Sequence, residues 1–220
     1  MQKKLTIFGI LAMLLCSFIL MSGCTQQNSS SDKTTPPSQM TLQQILENAL
    51  IIESMYYELE TSTAISSGTI MQNSTMKIWE KTPYLKEEAL ITAGNITTNL
   101  TIIKRPEGIF VYNPIQNRYI LSPGSAVPQV PTPEAVNDLI NNQTITILGA
   151  ETIDGNQTTV IQYTPSQMGN SSTMKMWIWN EKGIPLKAVL TTTKEETITM
   201  TFLYSNYSFV DIPDNTFSVS

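Results

Sequence analysis

From Tyr57 onward the chain changes its apolar period from 3.6 residues to 2, and it keeps that alternation for most of its remaining length. The stretches "TSTAISSGTIMQ", "STMKIWEKTP", "YLKEEALITAG", "NITTNLTIIK", "GIFVYNP" and "RYILSP" read as strands, punctuated by Gly, Pro and Asn. Strands resume as "ITILGAETIDG", "QTTVIQYTP", "STMKMWIWNEKG", "IPLKAVLTTTK" and "ETITMTFLYSNYSF", with hairpin signals at Asp154-Gly155 and Lys182-Gly183. Only two segments carry a helical pattern. "TLQQILENALIIESMYYELE" opens on a Thr41/Gln44 capping box and predicts a helix of about four turns. "VPTPEAVNDLINN" predicts a short one through Ala135, Val136, Leu139 and Ile140. The fold class expected is α+β, mainly β: a strongly curved antiparallel half-barrel of about ten or eleven strands covered by a few helices. Two helices are too few to fill the concave side, so an apolar cavity between helices and sheet is expected.

The N-terminus carries a different instruction. Met1–Lys4 is basic, Leu5–Met21 is apolar, and Ser22-Gly23 supplies small residues before Cys24. The run Leu20-Met21-Ser22-Gly23-Cys24 resembles a lipobox, in which the cysteine is lipidated and becomes the first mature residue. A retained transmembrane helix is the competing reading of the same apolar stretch. Residues 25–40, "TQQNSSSDKTTPPSQM", cannot bury enough surface to offset their ordering entropy. The expected organisation is a lipoprotein signal peptide over 1–23, a lipid-anchored disordered tether over 24–40 and one domain over 41–220. Such a protein is exported and anchored to the outer face of the cell membrane through Cys24.

Composition removes whole classes of chemistry. The chain has no histidine, and its two cysteines are Cys16 in the signal and Cys24 at the anchor. No Ser-His-Asp arrangement, no cysteine metal site and no disulfide is expected in the domain, nor any cofactor. The net charge of -5 and the scattered lysines and arginines argue against nucleic acid. Glu87-Glu88 and Glu195-Glu196 point to opposite faces of a strand, so neither pair makes a two-carboxylate site, and an enzyme is not expected. Asp211 and Asp214 flank Ile212-Pro213 and read as turn residues. Sequons begin at Asn28, Asn73, Asn95, Asn99, Asn142, Asn156, Asn170 and Asn206, more than this composition yields by chance, and make these asparagines glycosylation candidates. A lipobox with many sequons fits an archaeal surface lipoprotein.

Three stretches carry a resemblance. "KRPEGIFVYNPIQNRYIL" (104–121), "MKMWIWNEKGIPLKAVL" (174–190) and "TMTFLYSNYSFVDIPDNTFSVS" (199–220) are similar to segments of the LolA/LolB-type lipoprotein carriers and their lipid-binding relatives. The resemblance implies a curved sheet closed by helices over a hydrophobic cavity, and a lipid or lipoprotein acyl chain as partner. Methionines are frequent in the strands, at Met71, Met76, Met174, Met176 and Met200, and suit an adaptable apolar surface. Alternation places Met76, Ile78, Met174, Met176, Ile198, Met200 and Phe202 on the more apolar side of their strands, as candidate lining of a ligand cavity. Trp177 and Trp179 share the other side with Lys175. The rival expectation is a non-enzymatic structural or sensory surface module that binds a protein partner and whose interior is filled.

Overall fold

The computed structural model describes residues 40–122, 145–165, 171–193 and 196–219. The short helix expected within 130–142 lies outside these residues, as do Cys24, Asn28, Asn142 and Asn170. Among the described residues eleven antiparallel strands form one sheet, in the order β6-β5-β4-β3-β2-β1-β11-β10-β9-β8-β7. They are β1 (Ser54–Ile65), β2 (Ile70–Lys81), β3 (Tyr84–Ala93), β4 (Ile96–Arg105), β5 (Gly108–Asn113), β6 (Arg118–Leu121), β7 (Thr146–Ile153), β8 (Asn156–Tyr163), β9 (Ser172–Trp179), β10 (Pro185–Thr193) and β11 (Thr197–Ser208). Two meanders, β1–β6 and β7–β11, meet where β1 pairs with β11. Among the described residues the edges β6 and β7 have one neighbour each, so the sheet is open.

The first helix is shorter than its sequence pattern predicts. Helix α1 spans Leu42–Glu47, a single 3-10 turn follows over Asn48–Ile51, and β1 has begun by Ser54. Its start is set as expected: Thr41 Oγ1 accepts from the Gln44 amide, and Gln44 Oε1 accepts from the Thr41 amide. Its end is set by Met55, Tyr57 and Leu59, which alternate into the core and bury more surface in a strand than one helical stripe allows. The hairpin signals hold. Asp154 and Gly155 both have positive φ between β7 and β8, as a type I′ turn requires.

One apolar cluster covers one face of the sheet, here called the inner face. It joins Ile45 and Leu46 of α1 to residues of β1, β2, β3, β8, β9, β10 and β11. On the opposite, outer face the chain after β11 forms a strap. Ile212 and Phe217 pack with Ile103 beside Trp79, Tyr84 and Tyr119. The Ile212 amide donates to Ser54 Oγ, and Lys81 Nζ donates to the Ile212 carbonyl and pairs with both Asp211 and Asp214. The two aspartates therefore fasten a turn through one lysine, in keeping with their reading as turn residues.

Candidate functional site: the inner face

Register places all seven sequence-selected residues on the inner face. Phe202 lies between Thr61 and Ala188, and Ala188 pairs onward to Met176, which pairs to Ile161. In the next row Met200 lies between Thr63 and Leu190, and Leu190 pairs to Met174. Met76 pairs with Leu59, and Ile78 with Tyr57. Ile198 pairs with Ile65 at the end of β1.

Their environments differ along the strands. Met176 is 1% exposed, between Ala188 and Ile161, and Met76, Ile78, Met174 and Phe202 are also buried in the cluster. Met200 is half-buried at its margin, with Ile91, Leu100, Ile145 and Tyr163. Beyond them the same face comes into the open: Ile198 is 40% exposed, Ile147 56% and Ile96 72%. Ile147 shares its row with Ile161 and Met176, and Ile96 shares one with Ala93, Gln72, Thr63 and Met200. The packed part of the face lies at the α1 end, Ile198 and Ile96 form an apolar margin at the far end, and Ile147 is exposed on edge strand β7 beside a packed row. Met71 is not part of it. Thr63 pairs with Gln72 and Ala64 with Ile70, so Met71 is the extra residue of a bulge and is exposed.

At the α1 end the inner face holds polar groups that the sequence reading passes over. Glu87 pairs with Ile78 on one side and Ile102 on the other, both buried, and is itself 4% exposed. Burial raises its carboxyl from 4.5 to about 7. Tyr57, opposite Ile78, is 1% exposed and its hydroxyl has no hydrogen-bond partner among the described residues. The rings of Tyr207 and Tyr204 lie 5.4 and 6.1 Å from it. Tyr207 reaches this position because Asn206, at φ 54, irregularly shifts the β1–β11 register, and its hydroxyl donates to the Pro185 carbonyl. The parity of "YLKEEALITAG" carries the missed signal: Glu87 shares the register of Leu85, Ala89 and Ile91.

The pH response follows from that carboxyl. A carboxyl whose folded pKa exceeds its unfolded value favours the folded state most when protonated, and this contribution is lost as pH rises from about 4.5 to about 7. Chemical denaturation of Glu87→Gln and wild type is expected to give equal stability near pH 4 and a more stable variant at pH 8. A constant difference across that range would show that the carboxyl does not titrate as a buried group.

The outer face is polar where it is grooved. A groove of about 490 Å³ runs over β1–β4 between the rows Glu58, Lys77, Glu88, Thr101 and Glu60, Thr75, Leu90, Asn99. Elsewhere on this face Trp177 is buried beneath Lys175 and Lys187, whose ammonium groups lie 4.4 and 4.7 Å from its ring, and its Nε1 donates to Glu151. Trp177 is thus a packed outer-face residue.

Among the sequon asparagines, Asn73, Asn95, Asn99 and Asn206 are exposed and Asn156 is half-buried. The Asn206 side-chain amide, the atom a glycan would need, donates to Glu58 at 2.9 Å. In native material, glycopeptide occupancy is expected to be lower at Asn206 than at Asn73, Asn95 or Asn99. Equal occupancy at all four would show that this hydrogen bond does not protect the site.

No protein-family model matches the chain, and no curated protein does. Solved structures similar to it include an uncharacterized conserved protein from Thermus thermophilus, at 9% identity and TM-score 0.53, covering 80% of this chain and 91% of that one. A LolA superfamily protein from Nitrosomonas europaea matches at 16% identity and TM-score 0.39, over 81% of this chain and 98% of that one. The lipoprotein LppX of Mycobacterium tuberculosis matches at 14% identity and TM-score 0.45, over 76% and 92%.

Proposed function

We propose that this chain is a membrane-anchored surface lipoprotein whose half-barrel binds a hydrophobic ligand, a lipid or the acyl chains of a lipoprotein, along its inner face. One observation carries the reading: the apolar inner face continues beyond its packed part to Ile198 and Ile96, which stand in the open. Laying an acyl chain along Met200 and this margin removes apolar surface from water on both partners, at about 0.8 kcal/mol for each buried methylene. The half-buried methionine adapts to chains of different shape. Lipidation of Cys24 would hold the domain at the membrane from which such a ligand comes. The work is binding rather than catalysis.

Solvent extraction of the purified full chain is expected to release an amphiphile in near-stoichiometric amount. An extract free of lipid, from protein that also fails to take up a long-chain alcohol, would overturn the reading. A second reading has its own observation. Edge strand β7 is exposed almost throughout, including Ile147 and Leu148, and an edge of this kind can pair with a strand from a protein partner.

A further inference from the structure

Charge stops at one level of the sheet. Glu58, Lys77 and Glu88 pair across β1, β2 and β3 in one outer-face row, and Glu60 lies one row further. From there to the far end neither hairpin carries a charge. Residues 61–76, through the β1–β2 turn, hold none, and neither do residues 89–103, through the β3–β4 turn. Where these tips are exposed they are apolar: Ile70 opposite Ala64, Met71 in the bulge, and Ile96 closing the β3–β4 turn. Their polar groups are paired within the tips. The Gly68 amide donates to the Ile65 carbonyl, the Ile65 amide to the Thr69 carbonyl and the Ser67 hydroxyl to Thr69 Oγ1. Thr92 and Thr97 share a hydroxyl hydrogen bond. The α1 end is different, since its exposed Leu50, Ile51 and Val210 are flanked by exposed Glu47, Glu53, Asp211 and Asp214. A surface that is apolar, uncharged and internally hydrogen-bonded loses little when it leaves water.

We propose that the β1–β2 and β3–β4 tips dock on a lipid bilayer, with Ile70, Met71 and Ile96 at the boundary of head groups and acyl chains and the row Glu58, Lys77 and Glu88 left in water. A specific protein partner is held by aromatic and arginine anchors, and neither stretch contains Trp, Tyr or Arg. A bilayer requires only apolar side chains free of charge. The β10–β11 connection, with Lys194, Glu195 and Glu196 in its sequence, bounds the docking surface on the other side of β1. Ile96 belongs both to this rim and to the inner-face margin, so an acyl chain moving between leaflet and inner face would stay on apolar surface. The inference rests on the hydrophobic-ligand reading and adds the surface at which the ligand is exchanged. The sequon residue Asn95 stands in the β3–β4 turn, where a glycan would hold the tip off a bilayer, so docking belongs to protein unmodified at Asn95.

The test is peroxide oxidation of the full chain, made without N-glycans and reconstituted in phosphatidylcholine vesicles. Two methionines report the two ends: Met71 at the rim is 53% exposed and Met40, before α1, 47%. In wild type Met71 is expected to oxidise roughly fivefold more slowly than Met40. Ile70→Glu combined with Ile96→Glu puts a carboxylate on each tip and is expected to bring the two rates within about twofold. Both positions are exposed, so the urea midpoint is expected to stay unchanged, and Ile70→Glu alone serves should the pair disturb the fold. Ile51→Glu, at the other end, is expected to leave Met71 protected. Met71 oxidising as fast as Met40 in wild type, or protection that survives the double substitution, would overturn docking. So would protection that rises with the number of chains per vesicle, which would assign the rim to a second copy. Solvent extraction of the purified chain before reconstitution keeps the two readings apart. Released amphiphile without Met71 protection would overturn docking alone, and the absence of both would overturn it together with the hydrophobic-ligand reading.

Discussion

Gly183→Ala is expected to destabilise the domain by about 3 kcal/mol or more, among the largest effects of any single methyl group in this fold. Gly183 closes the β9–β10 turn at φ 71, where its amide donates to the Trp179 carbonyl. A Cβ at this position would run into the Ile45 carbonyl oxygen and lie 2.8 Å from the Ala49 amide nitrogen. Both obstacles are backbone, so no side chain can swing aside. The helix would have to lift, withdrawing Ile45 and Leu46 from the inner face and breaking the Asn48 hydrogen bond to the Asn180 carbonyl. Thermal and urea unfolding check this. A loss below about 1 kcal/mol would mean that α1 is not seated on the turn as described.

The second large effect separates the packed part of the inner face from its margin. Met176→Glu places a carboxylate between Ala188 and Ile161, both fully buried, and is expected to cost about 4 kcal/mol or more, enough to prevent stable folding. Met200→Glu sits where the face begins to open, so water can reach the carboxylate, and a loss of about 1 kcal/mol is expected with the fold retained. Midpoints of urea unfolding distinguish the two. Equal, small losses would show that the face is open throughout, and equal, large losses that it is filled to its edge.

Much of this is legible in the sequence for a simple reason. A period of 2 fixes which side chains share a face, and a hairpin succession fixes which strands are neighbours. Met174, Met176, Met200 and Phe202 can therefore be placed together before any coordinates. What parity cannot show is how much lies over each residue: Met176 and Ile198 obey the same alternation, yet one is enclosed and the other is not. Bulges defeat the pattern as well. Met71 is apolar and strand-borne, but one extra residue opposite Thr63 and Ala64 leaves it exposed. The Asn206 irregularity turns Tyr207 toward Tyr57, where a straight register would not bring it. The length of α1 is hidden because Leu42, Ile45, Leu46 and Ala49 satisfy a helix while Met55, Tyr57 and Leu59 satisfy a strand, and the boundary depends on the sheet they join. Glu87 is readable from its register, but its adjacency to Glu88 suggests a question of catalysis instead of burial.

Native mass spectrometry of the full chain purified gently from its native source tests the central claim most directly, with Met200→Glu measured beside it. Wild type is expected to carry one amphiphile of defined mass that collisional activation removes. Folded Met200→Glu is expected to carry it at less than about a tenth of that occupancy. Wild-type protein that flies without a releasable bound amphiphile, or a variant that retains the same bound mass at the same occupancy, would contradict ligand binding along the inner face.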